Sequence, residues 1–196
     1  MPSDIVLPSG NEDALIKMAK YLGYSTLYLL YDKGDIPKLV NHDAGITVHT
    51  AMVVPPKDVA QARKRVGLVI CHSAEDDRAV VEGAKPDAIL GFELRQRKDF
   101  LNARNSGLNH VLCNIMRQNN VALALSLKAI LHPKIPREEL MGRIIQNIVL
   151  CRKYGVHVIL GSFAQSTCQM RSPHDIIAFC RFIGMDGKEA KLSLDY

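Results

Sequence analysis

The chain has 196 residues, of which 47% are hydrophobic and 23% are charged, and its formal net charge is +5 at pH 7. This composition is that of an ordinary globular protein and excludes a disordered, collagen-like or disulfide-rich chain. A chain of this length buries roughly two-thirds of its unfolded surface in one core, so we expect a single domain over residues 1–196.

Seven short apolar runs predict the strands. Most of them are continuous rather than alternating, as expected for strands of a parallel sheet that is covered on both faces. They occupy residues 4–7, 26–31, 46–53, 67–71, 88–92, 121–127 and 156–160.

Amphipathic segments with helix start and stop residues lie between these runs. Asn11 is expected to cap a helix that ends at Gly23, and Pro136 to open a long helix that ends at Gly155. The sequence Ser-Pro-His-Asp at 172–175 has the form of a capping box. Two apolar stripes are expected to be buried, namely Leu108, Val111, Leu112, Ile115 and Met116 in one helix and Leu140, Met141, Ile144, Ile145, Ile148 and Val149 in the long one.

The alternation of strands and helices predicts an α/β fold. Seven β–α units with short connections favour a TIM-like (β/α) barrel of about seven parallel strands in a single domain. Because such barrels usually have eight units, this one is expected to be incomplete or distorted.

The sequence carries no pattern of a membrane span or a secretory signal. The longest uncharged apolar run, residues 121–127, is far shorter than the roughly 20 residues that a membrane span needs. Residues 1–10 lack the basic start and the apolar run of a signal peptide. The five cysteines include no C-x-x-C pair and are typical of reduced thiols. We therefore expect a cytoplasmic protein without a membrane partner.

The charge is unevenly distributed along the chain. Residues 94–153 contain eleven basic and three acidic side chains, a net charge of +8, whereas the remaining residues carry −3. Such a segment is typical of a surface that faces a polyanion, although a solvated helix face is the plain alternative.

Clusters of cations follow the fifth predicted strand and precede the last predicted helix. If this basic surface binds RNA, we expect it to do so through phosphates and helical shape rather than through base stacking, because the chain has only 11 Phe and Tyr residues. Arg171, next to a helix start, could hold a phosphate or pair with Asp175. The predicted RNA-binding residues are Arg95, Arg97, Lys98, Arg104, His110, Arg117, Lys128 and Arg171, and the predicted structural or orienting residues are Asn109, Ser126, Ser162 and Asp175.

Two alternatives remain open at this point. Asp32, His72 and Glu93 stand at predicted strand ends, where a metal-dependent phosphoesterase would place its ligands. The signal is weak, since no H-x-H or H-E-x-x-H pair occurs and the first strand supplies no ligand. The other alternative is a scaffold whose basic surface docks an acidic protein.

Several motifs in the second half of the chain resemble one known family. They are GLNHVL at 107–112, NNVAL at 119–123, SL at 126–127, RSPHD at 171–175, IGM at 183–185 and AK at 190–191. In this order and spacing they are similar to motifs of the RNase P protein component 3 family, the archaeal relatives of the human thirty-kilodalton RNase P subunit. The resemblance is most specific from about residue 97 onwards.

This resemblance implies a barrel related to the PHP phosphoesterases but without their metal ligands. It implies a protein subunit of ribonuclease P, which removes the 5′ leader from precursor tRNA, with cleavage by the RNA component and its Mg²⁺. The chain itself would then have no catalytic residue, cofactor or metal site. The implied partners are RNase P RNA, precursor tRNA, a small ferredoxin-like RNase P subunit in a heterotetramer, and other RNase P proteins. The residues carried over are His110, Arg171, Asp175 and either Arg97 or Arg104.

Overall fold

The computed structural model of the chain describes residues 1–32, 34, 45–95, 98, 99, 101 and 104–196. The strands in this part are β1 (Ser3–Val6), β2 (Thr26–Asp32), β3 (Thr47–Val53), β4 (Leu68–His72), β5 (Ala88–Leu90), β6 (Ala122–Ser126) and β7 (Val158–Gly161). The α-helices are α1 (Glu12–Leu22), α2 (Val59–Ala62), α3 (Asp77–Ala79), α4 (His110–Gln118), α5 (Leu127–Leu131), α6 (Arg137–Tyr154), α7 (Pro173–Phe182) and α8 (Gly187–Leu192). Every predicted strand is present to within two residues at each end.

All seven strands belong to one parallel sheet. Each strand pairs with the next one in the chain, so the spatial order from β1 to β7 follows the sequence order. Next to β7, Phe163 N–H donates to the carbonyl of Ile5 (2.7 Å), and Leu7 N–H donates to the carbonyl of Ala164 (2.8 Å). The sheet therefore forms a nearly closed barrel, which confirms the predicted TIM-like fold.

The junction between β1 and β7, which we call the seam, is completed by residues that follow α8. Leu160 N–H on β7 donates to the carbonyl of Ser193 (2.9 Å), and Ser3 N–H on β1 donates to the carbonyl of Leu194 (2.6 Å). Within the seam, the buried carboxylate of Asp4 accepts from Ser162 N–H (2.6 Å) and from Ser162 Oγ (2.7 Å). Backbone and side-chain hydrogen bonds thus join the two edges where an eighth strand would stand in the usual barrel.

The barrel interior is packed with small and branched side chains. Side chains alternate along β6, where Ala122 and Ala124 face one buried cluster and Leu123 and Leu125 face another. The cluster that contains no helix residue is the interior, and a barrel of seven strands encloses less space than one of eight. Its buried members are Ile5, Leu30, Ala51, Leu68, Ile70, Ala88, Leu90, Ala122, Ala124, Ile159 and Phe163.

The long helix α6 shows where the predicted helix burial is wrong. Ile145 and Val149, expected in the core, are 43% and 51% exposed, whereas Arg143 and Asn147 are buried in their place. The helix therefore buries a different face from the predicted one, because the side chains of Arg143 and Asn147 bind the connection between β5 and α4, described below. In α4, Val111 is likewise 43% exposed, while Leu112 and Met116 are buried as predicted.

At two predicted helix N-termini the capping hydrogen bonds differ from those expected. Asn11 stands at the N-cap position of α1, but its side chain makes no cap hydrogen bond, because Oδ1 accepts from Ser9 N–H (2.9 Å). Ser172 caps α7 by accepting from Asp175 N–H (3.2 Å), but the Asp175 carboxylate accepts from Ser172 Oγ rather than from the backbone, so the box is half formed. In the part of the chain that the structure describes, no helix is both long and apolar enough to span a membrane.

Candidate nucleic-acid interface

Most of the predicted RNA-binding residues lie at one end of the barrel, because connections that follow the carboxyl ends of parallel strands share that end. Three of them lie between β5 and α4, one begins α4, one is in α5 directly after β6, and one precedes α7 after β7. These six residues thus follow three consecutive strands. We call them the basic face: Arg95, Lys98, Arg104, His110, Lys128 and Arg171.

Two other predicted residues are not part of the basic face. Arg117 is in the last turn of α4, about 10 Å along the helix axis from His110, at the opposite end of the barrel. Its Nη1 lies 3.5 Å from the carbonyl of Tyr154, at the C-terminus of α6, where a cation stabilises the helix dipole. Arg97 lies outside the described residues.

A buried arginine anchors the connection from β5 to α4. Arg143 on α6 is only 1% exposed, and its Nε donates to Asp99 (3.1 Å) while Nη1 donates to the main-chain oxygen of Arg95 (3.0 Å). Its Nη2 also pairs with Glu139, one turn earlier in α6. Arg143 was not among the predicted site residues, because a pattern of apolar residues places an arginine at this position of α6 in solvent.

Arg104 is held against the same helix. Its Nη1 donates to Asp99 (2.8 Å), and the side chain of Gln146 bonds both its main-chain N–H and its carbonyl. Gly142 makes this approach possible, since a Cβ at that position would lie 2.9 Å from Nε of Arg104. The pKa of Asp99 is lowered to about 2, mainly by the hydrogen bond from Arg104 and further by those from Asn105 N–H and Arg143. Arg104 is therefore an ion-paired cation with 48% of its side chain exposed.

The end of this connection is fixed by backbone geometry. Gly107 has φ of +90°, and a Cβ there would lie 2.9 Å from the carbonyl oxygen of Phe92. Asn147 on α6 donates to the carbonyl of Ser106 (3.2 Å). Asn109 then caps α4 by accepting from Leu112 N–H (2.9 Å). These contacts present His110, which is exposed, at the first residue of the helix.

The cations of this connection differ in their partners. Arg95 donates to the carbonyl of Ala74, and its Nη1 lies 3.7 Å from the carboxylate of Asp77. Arg95 is thus an ion-paired side chain with 25% exposure, whereas Lys98 is exposed and forms no ion pair among the described residues. Part of the positive charge predicted for this segment is therefore offset by acidic partners.

The residues after β6 and β7 are linked to the seam. Ser126 caps α5 by accepting from Ala129 N–H (3.2 Å), and Lys128 N–H donates to the carbonyl of Ser162 (3.1 Å). Ser162 Oγ in turn donates to Asp4, whose pKa burial raises to about 7. The half-buried Lys128 is thus positioned by the strand ends of β6 and β7.

Arg171 is exposed and oriented by its own turn. Its Nη1 donates to the carbonyls of Cys168 (3.0 Å) and Met170 (2.8 Å), and Tyr24 Oη donates to its carbonyl (2.7 Å). The ion pair with Asp175 that the sequence left open does not form within the described chain, where the Asp175 carboxylate accepts from Ser172 Oγ (2.8 Å). Arg171 therefore has no carboxylate partner among the described residues.

The residues of the phosphoesterase alternative are in two different environments. Asp32 and His72 are exposed last residues of β2 and β4, whereas Glu93 is 1% exposed in the turn after β5. Burial raises the pKa of Glu93 to about 7, and its Oε2 has no hydrogen-bond partner within the described part. Among the described residues, no three His, Cys, Asp or Glu side chains are grouped so that they could hold a metal ion. The structure thus does not bring these three residues together as a metal site.

Comparisons with known proteins agree with the motif resemblance. The model of the family described as RNase P subunit p30 matches residues 9–196. The chain is 28% identical over 199 residues to ribonuclease P protein component 3 of Methanosarcina barkeri, which covers 94% of this chain and 80% of that protein. It is 36% identical over 135 residues to the protein of the same name from Methanosarcina acetivorans, which covers 67% of this chain and 53% of that protein.

Solved structures share the barrel. A chain in the cryo-EM structure of archaeal ribonuclease P with mature tRNA has a TM-score of 0.78 at 20% identity, covering 98% of this chain and 87% of that chain. A prolidase crystal structure has a TM-score of 0.56 at 9% identity, covering 97% of this chain and 71% of that chain. At these identities the two likenesses concern the fold alone.

Proposed function

Because the chain belongs to the RNase P subunit p30 family, we propose that it is a protein subunit of ribonuclease P that binds and supports the catalytic RNA in 5′ maturation of precursor tRNA. The observation that carries this proposal is the family match over residues 9–196, almost the whole chain. In our proposal the RNA component performs the cleavage with Mg²⁺, and this chain supplies no catalytic residue, cofactor or metal ligand.

The basic face supports a role in phosphate binding. Lys98, His110, Lys128 and Arg171 lie at one end of the barrel and have no carboxylate partner within 4 Å among the described residues. The three cations Lys98, Lys128 and Arg171 release counterions when they contact phosphates, and this release drives the affinity of proteins for nucleic acid, while the imidazole of His110 can hydrogen-bond a phosphate. We assign the direct phosphate contacts to these four residues. Arg95 and Arg104, which are ion-paired, serve mainly to hold the connection before α4.

The proposal includes the partners and the compartment. Archaeal relatives carry the name ribonuclease P protein component 3, and a chain of similar fold occurs in archaeal ribonuclease P with mature tRNA. We propose that this chain binds RNase P RNA together with other RNase P proteins, among them a small ferredoxin-like subunit with which it forms a heterotetramer. The particle would act in the cytoplasm.

The test is cleavage of precursor tRNA by a reconstituted particle with and without this chain at moderate Mg²⁺. We expect a clear loss of 5′ cleavage on omission and no cleavage by the protein alone. Full activity without the chain would contradict the proposal.

A second measurement tests the basic face. The double variant Lys128→Gln with Arg171→Gln should weaken RNA binding and reduce the slope of log K against log salt by about two, one for each lost phosphate contact. The matched control is Lys191→Gln on α8, an exposed cation outside the basic face, which should leave the slope unchanged. Equal slopes for all three proteins would place the RNA-binding surface elsewhere.

A further inference from the structure

A groove lies between α5 and α7, beside the basic face. Its volume is about 180 Å³. This is smaller than a site for a drug-sized ligand, which occupies about 300–1,000 Å³, but sufficient for one planar ring. The groove is lined by Leu127, Leu131, Arg171, Asp175, Ile176 and Phe179.

The lining combines an apolar wall with a charged rim. Leu131 is 39% exposed and Phe179 is half-buried, so both present apolar surface to solvent. Arg171 stands at the rim, where Nη1 is engaged by two carbonyls while Nε and Nη2 bond no acceptor among the described residues. Lys128 does not line the groove but follows the lining residue Leu127 in α5, so a second cation lies near the groove.

We propose that this groove binds one unpaired nucleobase of the RNA, stacked on Phe179, while Arg171 and Lys128 contact the flanking phosphates. This inference rests on the proposed function and adds a contact that the low aromatic content of the sequence did not suggest. An apolar pocket beside unpaired cations matches a nucleotide, which joins an apolar ring face to an anionic phosphate.

The hydrogen-bond donors of the rim fit a nucleotide. Arg171 has no carboxylate partner within the described chain and its Nε and Nη2 bond no acceptor there, whereas the carboxylate of Asp175, the acidic residue of the lining, accepts from Ser172 Oγ. A phosphate can accept from the free guanidinium N–H groups of Arg171, and the base stacking itself is independent of sequence because every base has a π-face.

Photo-crosslinking identifies the occupant. RNase P RNA substituted with 4-thiouridine is bound to the full chain, irradiated and digested with trypsin, and the crosslinked peptides are mapped by mass spectrometry. We expect crosslinks in peptides 129–134 and 172–181, which contain Leu131 and Phe179, and none in peptide 182–188. Tight RNA binding with crosslinks only outside these two peptides would overturn the groove and leave the proposed function standing. A failure of the RNA to bind at all would contradict the proposed function itself.

A matched pair of variants measures the stacking. Phe179→Leu should weaken RNA binding about 10-fold, the usual effect of removing one stacked base, with an unchanged salt slope. Phe182→Leu, on the same helix but 82% exposed and outside the groove, should have no effect. Leu131→Ser provides a second groove variant at a partly exposed position, in case Phe179→Leu does not fold.

Two results would refute the proposal. One is equal RNA affinity for the wild type and both groove variants. The other is a defect of the groove variants that occurs only when other RNase P proteins are present, because the occupant would then be a protein side chain.

Discussion

Replacement of Asp4 by asparagine isolates the energetic effect of the buried carboxylate in the seam. In the folded chain Asp4 is fully buried, and its Oδ1 accepts from Ile5 N–H (2.8 Å) and Ser162 N–H (2.6 Å). An asparagine can keep these two bonds through Oδ1 and can donate from Nδ2 to Ser162 Oγ, which would then donate to the carbonyl of Ile5. The substitution thus removes the charge with little change in shape.

The expected magnitude follows from the pKa of Asp4. Burial raises this pKa from 3.8 to about 7, against the opposing effect of the hydrogen bonds from Ser162 and Ile5. Between these two values the folded chain binds a proton more tightly than the unfolded chain does, so the free energy of unfolding of the wild type falls as the pH rises. At 1.36 kcal/mol for each pKa unit, the loss is about 4 kcal/mol between pH 3.8 and pH 7.

Urea unfolding of both proteins at pH values from 4 to 8 provides the measurement. We expect the free energy of unfolding of Asp4→Asn minus that of the wild type to increase with pH by up to about 4 kcal/mol and to level off above pH 7. The difference at pH 4 serves as the control, because it reports mainly the changed hydrogen bonds at a pH where Asp4 of the folded wild type is still protonated. A difference that stays constant from pH 4 to pH 8 would refute the reasoning.

Three further predictions concern the connection before α4. Gly107→Ala should lower the free energy of unfolding by about 1–3 kcal/mol, measured in urea, because of the positive φ and the contact with the carbonyl of Phe92. Arg143→Met should lower it by about 3–5 kcal/mol, since it removes a buried cation from its partners, whereas Arg104→Met, which removes the exposed partner of Asp99, should lower it much less; equal effects in urea would contradict this. Because the pKa of Asp99 is lowered to about 2, its stabilisation is present above pH 4 and lost as the pH falls towards 2. The thermal midpoint of Asp99→Asn should therefore fall less than that of the wild type over this range.

The strands were predictable because burial on both faces leaves a local signal. A run such as residues 121–127 is continuous and apolar, and the parallel order follows from the helices between the runs. The burial of α6 was not predictable in the same way. Arg143 is stabilised in the core by Asp99 and by main-chain carbonyls that lie far from it in the sequence, so a pattern of apolar residues assigns it to solvent and Ile145 to the core.

For the candidate interface, the sequence indicated where the basic residues lie in the barrel but not which acidic residues pair with them. Arg95, Lys128 and Arg171 lie at one barrel end because each follows a strand, and this rule operates on sequence order alone. The pairing of Arg95 with Asp77 depends on tertiary structure and has no local signal. The groove beside Phe179 could not be predicted from the sequence either, since it exists only where α5 and α7 approach each other.

The seam has a consequence for the order in which the barrel folds. Every other pair of strands joins neighbours in the chain, whereas the bond between Ser162 N–H and Asp4 spans 158 residues. Closing so long a loop has the largest entropic cost unless the intervening sheet has already formed. We therefore expect neighbouring strands to pair first and the seam between β1 and β7 to form last. In this barrel the fully buried carboxylate of Asp4 therefore lies at the contact that forms last.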